Sequence, residues 1–75
     1  MAEIRVRSEL NAIVWKIEVA VGTAVGEGDS LIILESMKME IPVTAPGAGT
    51  VRTIAVSEGE QVSEGQTLAI LESGN

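Results

Sequence analysis

Residues 2–38 and 39–75 read as two copies of one unit. Laid over each other without a gap, they agree at 15 of 37 positions, where unrelated segments would agree at about two or three. Glu3-Ile4 matches Glu40-Ile41, and Val6 matches Val43. Val14, Ile17 and Val19 match Val51, Ile54 and Val56. Gly22, Val25 and Glu27-Gly28 match Gly59, Val62 and Glu64-Gly65. Leu31 and residues 33–36 match Leu68 and residues 70–73. A repeat of this kind confines the fold to a unit that buries its apolar face against its own copy.

Each copy reads as short strands parted by glycine turns. Ile4 and Val6 alternate with polar neighbours, as do Ile41 and Val43, which predicts a half-buried strand at the start of each copy. A second strand is expected over residues 12–19 and 49–56. Within it Val14 is out of phase with Ile17 and Val19, and Val51 with Ile54 and Val56, so both strands should carry a bulge. Val25 and Val62 each lie between two glycine turns, on a very short strand that plugs the core. Residues 31–35 and 68–72 close each copy with a last strand. No segment has a helical period, and the apolar residues are nearly all β-branched or aliphatic, with Trp15 the one aromatic; this favours sheet. The expected fold class is all-β, a single domain over 1–75. It is a flattened barrel or sandwich of two antiparallel sheets from two quasi-symmetric halves. By that symmetry the link between the halves lies at one end of the body and the chain termini at the other. The glycines supply turn dihedrals, since a phosphate-binding loop would need a helix after it.

Composition removes several functions. The chain has no cysteine and no histidine, so there is no disulfide framework, no thiol nucleophile and no imidazole base or zinc ligand. A net charge of −6, with only Arg5, Arg7, Lys16, Lys38 and Arg52 basic and not clustered, argues against a nucleic-acid partner. The longest aliphatic run, residues 31–34, is too short to cross a membrane, and the N-terminus lacks the apolar core of a signal peptide. A cytoplasmic protein, monomeric when free, is the expectation.

The copies part company at the link between them, Glu35-Ser36-Met37-Lys38-Met39-Glu40, where Met37-Lys38 stands opposite Gly74-Asn75. A two-residue turn between strands prefers Asn-Gly or Asp-Gly, because both positions need positive φ. Met and Lys there cost about 1 kcal/mol per left-handed residue. A site that breaks local propensity is a candidate for function. Lysine suits it, being a primary amine on a long flexible stem. Protonated in water, that amine needs an enzyme to take its proton before it can react with an activated acid. Methionines on either side offer adaptable apolar surface to a visiting protein. A lone lysine is ordinarily solvated surface and a methionine ordinarily core. The symmetric setting, the unfavourable turn and the paired methionines favour the functional reading.

Met37-Lys38-Met39, central in the repeat and followed by Ile41 through Pro46, Gly47 and Gly49-Thr50-Val51, resembles the biotinyl (biotin carboxyl carrier) domain family over essentially the whole chain. The resemblance implies a carrier and not an enzyme. A biotin protein ligase would join biotin to Lys38 through an activated adenylate. The biotin would then move a carboxyl group from a biotin carboxylase site to a carboxyltransferase site. Met37 and Met39 would serve ligase and carboxylase recognition; Glu35 and Glu40 would either contact the ligase's basic surface or, as charges at strand ends, simply be solvated, and the second reading is favoured. Three departures stand out: Ser36 replaces the family's usual alanine, residues 8–12 lack the usual Pro-Met-x-Gly, and the Gly22 to Gly28 turn has no protruding thumb. In this the chain is similar to thumbless carriers and to free-standing biotin/lipoyl attachment proteins. The alternatives are a lipoyl carrier bearing lipoate on Lys38, though lipoyl domains place Asp and Ala around the lysine, a dual biotin/lipoyl attachment protein, or an unmodified adaptor. No catalytic or metal-binding residue is expected, because Glu27/Glu64 and Glu35/Glu72 recur through the repeat as surface positions do.

Overall fold

A computed structural model describes residues 2–73. Its strands, in chain order, are β1 (Glu3–Arg7), β2 (Ala12–Ile17), β3 (Ala24–Val25), β4 (Ser30–Ser36), β5 (Met39–Thr44), β6 (Gly49–Ile54), β7 (Gln61–Val62) and β8 (Thr67–Glu72). They make two antiparallel four-stranded sheets, ordered β1-β8-β6-β3 and β5-β4-β2-β7. The expected all-β architecture of two quasi-symmetric halves is what the structure contains. The symmetry reaches the register: Val14 faces Leu34 and Lys16 faces Ile33, just as Val51 faces Leu71 and Thr53 faces Ile70.

Each sheet takes two strands from each copy, so neither copy has a sheet of its own. The turns stitch the copies together in matched pairs. The Gly22 amide donates to the Val51 carbonyl at 2.7 Å, and the Gly59 amide to the Val14 carbonyl at 2.7 Å. One shared core fills the space between the sheets. Leu31, Ile32 and Leu34 of β4 meet Leu68, Ala69 and Leu71 of β8 there, with Val14, Val51 and Val62.

The predicted bulges are present in both copies. The ladder shifts between Val14 and Lys16 and again between Val51 and Thr53, leaving Trp15 and Arg52 as the extra residues. The second strand of each copy ends at Ile17 and Ile54, two residues short of the sequence expectation. Pairing stops there because the partner strand has reached its turn; Val19 and Val56 still pack on the core from the following loop. The four matched glycines, Gly22, Gly28, Gly59 and Gly65, all have positive φ, as turn residues should. The connection between β2 and β4 holds β3 and no protruding segment, matching its counterpart around β7.

Gly49 serves a different purpose. A Cβ there would lie 2.6 Å from the Glu72 carbonyl oxygen, so β6 and β8 can approach this closely only without a side chain. Gly49→Ala should force the strands apart and destabilise by about 1–3 kcal/mol, read as a lowered denaturant midpoint at unchanged slope.

The topology separates link from termini. β1 begins where Glu3 faces Glu72, and there the Ser73 amide donates to the Ala2 carbonyl at 2.8 Å. β1 then runs to Arg7, and residues 8–11 lead straight into β2, whose Ile13 faces Glu35 at the base of the β4–β5 hairpin. The hairpin and the Ala2–Ser73 contact therefore sit at opposite ends of a body 38 Å long and about 17–18 Å across. Gly74 and Asn75, the sequence counterparts of Met37-Lys38, lie outside the described residues.

Candidate functional site

β4 and β5 hold the site between them. Their ladder pairs Ile33 with Pro42, Leu34 with Ile41, Glu35 with Glu40 and finally Ser36 with Met39. That last pair leaves a two-residue loop, Met37-Lys38. Leu34 is fully buried and Ile41 half-buried, so the hairpin stem is anchored in the core. With a side-chain period of two, a register slip would turn Leu34 out to solvent. The stem is therefore fixed and its tip placed.

Both loop residues are left-handed: φ is 52° at Met37 and 65° at Lys38. They are the only non-glycine residues with positive φ among those described. This is the mirror-image turn that a right-twisted hairpin needs, made from residues poorly suited to it. The cost, about 1–2 kcal/mol per residue, falls on the two positions the sequence had singled out. Backbone strain of this kind persists where the surrounding structure enforces it, and it concentrates at functional sites.

The structure brings all three sequence-predicted site residues to the tip. Lys38 is exposed and forms no ion pair among the described residues. Met37 is 92% exposed and Met39 64%, far outside the range of a core methionine. The methionines are therefore surface and not core, and the lysine between them is exposed. Glu27, Glu35 and Glu64 are exposed, and Glu72 touches Arg52, in keeping with the expectation that the repeated acids are surface. Among the described residues no three potential metal ligands cluster. No helix is long and apolar enough to cross a membrane.

In the sequence Trp15 stands out only as the one aromatic residue. The bulge in β2 sets it on the outer face of the lysine-bearing sheet at 48% exposure, beside Ile13 at 45%. In the repeat Trp15 aligns with Arg52.

A free amine on an exposed tip is open to acylation. The family model described as "Biotin-requiring enzyme" matches residues 5–71. A biotinylated protein TB7.3 homolog of Mycobacterium leprae is 52% identical over 69% of this chain and 73% of its own length. The biotin/lipoyl attachment protein of Bacillus subtilis is 43% identical over 59% of this chain and 60% of its own. Among solved structures, the urea carboxylase of Kluyveromyces lactis superposes with a TM-score of 0.91 at 35% identity, covering 96% of this chain. A single-chain, multi-domain long-chain acyl-CoA carboxylase gives 0.90 at 27%, covering 97%. The chain spans only 6% and 7% of those two carboxylases, so the likeness is to one domain of each. Matched over most of its length by the biotin-requiring family model, this chain belongs to that biotin/lipoyl family as a biotinyl domain.

Proposed function

We propose that the protein is a biotin carboxyl carrier in which Lys38 is the residue that bears biotin. The observation that carries this reading is the left-handed Met37-Lys38 turn, which holds one unpaired amine out at the end of a rigid hairpin. A primary amine fits a prosthetic group that ends in a carboxylate, because the two join as an amide. A biotin protein ligase takes the Lys38 proton. Nζ then attacks the carbonyl of biotinyl-adenylate, the N–C bond forms, and AMP leaves. Once attached, biotin supplies a ureido nitrogen that can hold a carboxyl group for transfer.

The chain's own part is presentation. Leu34 and Ile41 fix the stem, the turn points the arm away from the body, and Met37 and Met39 give ligase and carboxylase an apolar grip. The carrier serves a biotin carboxylase and a carboxyltransferase and has no catalytic group of its own. The likeness to carboxylase domains supports that partnership. An acidic chain without cysteine suits a monomeric carrier in the cytoplasm.

The likeness to a biotin/lipoyl attachment protein favours a second reading, in which Lys38 also accepts lipoate. Intact mass after co-expression with biotin and lipoyl ligases, separately and together, distinguishes them. We expect one biotinyl adduct per chain with the biotin ligase, and none in Lys38→Arg. A chain that gains only the lipoyl adduct, or none, would overturn the proposal.

A further inference from the structure

Four of the six strand pairings among the described residues join one half of the chain to the other: β1 with β8, β2 with β7, β3 with β6 and β4 with β5. Only β2–β4 and β6–β8 lie within a half. The connection between the halves is nothing but the turn Met37-Lys38, and both of its residues are left-handed, at φ 52° and 65°. Each half therefore needs the other for its sheets and its core, while the link that supplies it is the strained part of the fold. Any other molecule of this chain carries the same complementary half.

We propose that two molecules of this chain exchange halves, the first half of each packing with the second half of the other and Met37-Lys38 opening as the hinge. Every pairing and every core contact re-forms between chains, because the half that arrives is identical to the half that left. Only the turn changes. β4 runs straight through residues 36–39 into β5, and the two hinge strands cross antiparallel. The ladder that pairs Ser36 with Met39 continues one step further, setting Met37 of each chain opposite the partner's Lys38. The left-handed residues of both chains return to extended backbone, a release that makes a short strained hinge prone to exchange. Bringing two chains together opposes it, so the monomer prevails when dilute and the dimer gains with concentration. Exchange also requires the shared core to open, so the two forms part during folding and interconvert slowly afterwards.

The hinge is also the acceptor. In the monomer Lys38 stands at one end of a body 38 Å long. In the exchanged dimer it lies mid-strand with a body on either side. A ligase that closes over a hairpin tip meets no tip there, so exchange withholds the amine from biotin. The exchange stands on the fold alone; its effect on loading rests on the carrier reading above.

Glu3 of β1 faces Glu72 of β8, a pairing between halves and far from the hinge, and the chain has no cysteine of its own. Residues directly opposite on antiparallel strands lie within disulfide reach. Glu3→Cys/Glu72→Cys therefore closes a disulfide within the chain in the monomer and between chains in the exchanged dimer. This protein is unfolded in urea, refolded at about 1 μM or about 1 mM, oxidised and separated by size. The dilute sample should be monomer, and the concentrated one should yield a dimer that stays covalent on a non-reducing denaturing gel. Adding Met37→Asn/Lys38→Gly, which relieves the turn, should lower the dimerisation constant about a hundredfold. The parent dimer should take biotin from purified ligase about tenfold more slowly than the parent monomer. No dimer from concentrated refolding, or a dimer whose disulfides stay within chains, would overturn the proposal. So would undiminished dimerisation of the double hinge variant, or equal biotinylation of monomer and dimer. A monomer that takes no biotin would instead sink the carrier reading, while the gel still decides the exchange.

Discussion

Leu34→Ala is expected to remove most of the protein's stability at room temperature, and Leu71→Ala to do the same. Leu34 and Leu71 are copies of one position, both fully buried, on the inner strands of opposite sheets. Cutting a buried leucine to alanine costs about 2–5 kcal/mol, because the lost contacts are compounded by a cavity that collapses only in part. A domain of this size draws only about 3–5 kcal/mol from a single core, so either change consumes most of the margin. Because every sheet mixes strands from both copies, the loss cannot stay in one half. Urea titrations should show a single transition in each variant, displaced alike. A variant that kept the parent midpoint, or unfolded in two steps, would contradict the shared core.

Replacing the tip should act in the opposite direction. Met37→Asn with Lys38→Gly installs the pair that a mirror-image turn prefers, and relieves two left-handed positions whose φ values are 52° and 65°. At about 1 kcal/mol each, the double variant should be more stable than the parent by about 2 kcal/mol. It should also be inert to biotin ligase, having lost the amine. Met37→Asn alone should gain about half of that and keep its acceptor. Chemical denaturation measures the gain and streptavidin blotting the loss. A double variant less stable than the parent would mean that the turn residues are not strained.

The repeat explains why so much was legible in the sequence. The matches of Val14 to Val51 and Gly22 to Gly59 mark equivalent strands and turns in the sequence itself. The phase slip after Val14 located both bulges. The link at Met37-Lys38 stood out because its residues disagree with the turn they must make. What the sequence concealed depends on contacts between strands far apart in the chain. Gly49 aligns with Ala12 and looks interchangeable with it; its need to be glycine comes from the Glu72 carbonyl. In the sequence Glu35 and Glu40 read as strand-end charges, either solvated or set against a ligase. Their difference from Glu72 and Glu3 emerges only when β1–β8 pairing sets Arg52 beside one pair and the other is seen to have none. The early end of β2 likewise follows from where β4 turns, which local alternation does not encode.

The chain has two lysines, Lys16 on the sheet face and Lys38 at the tip, and this makes the central claim simple to examine. Peptide mapping by tandem mass spectrometry, after complete reaction with biotin ligase, should find the biotinyl group on Lys38 in every modified molecule and Lys16 unmodified. Biotin on Lys16, or an unmodified Lys38 under conditions where a known carrier domain is fully labelled, would contradict the account.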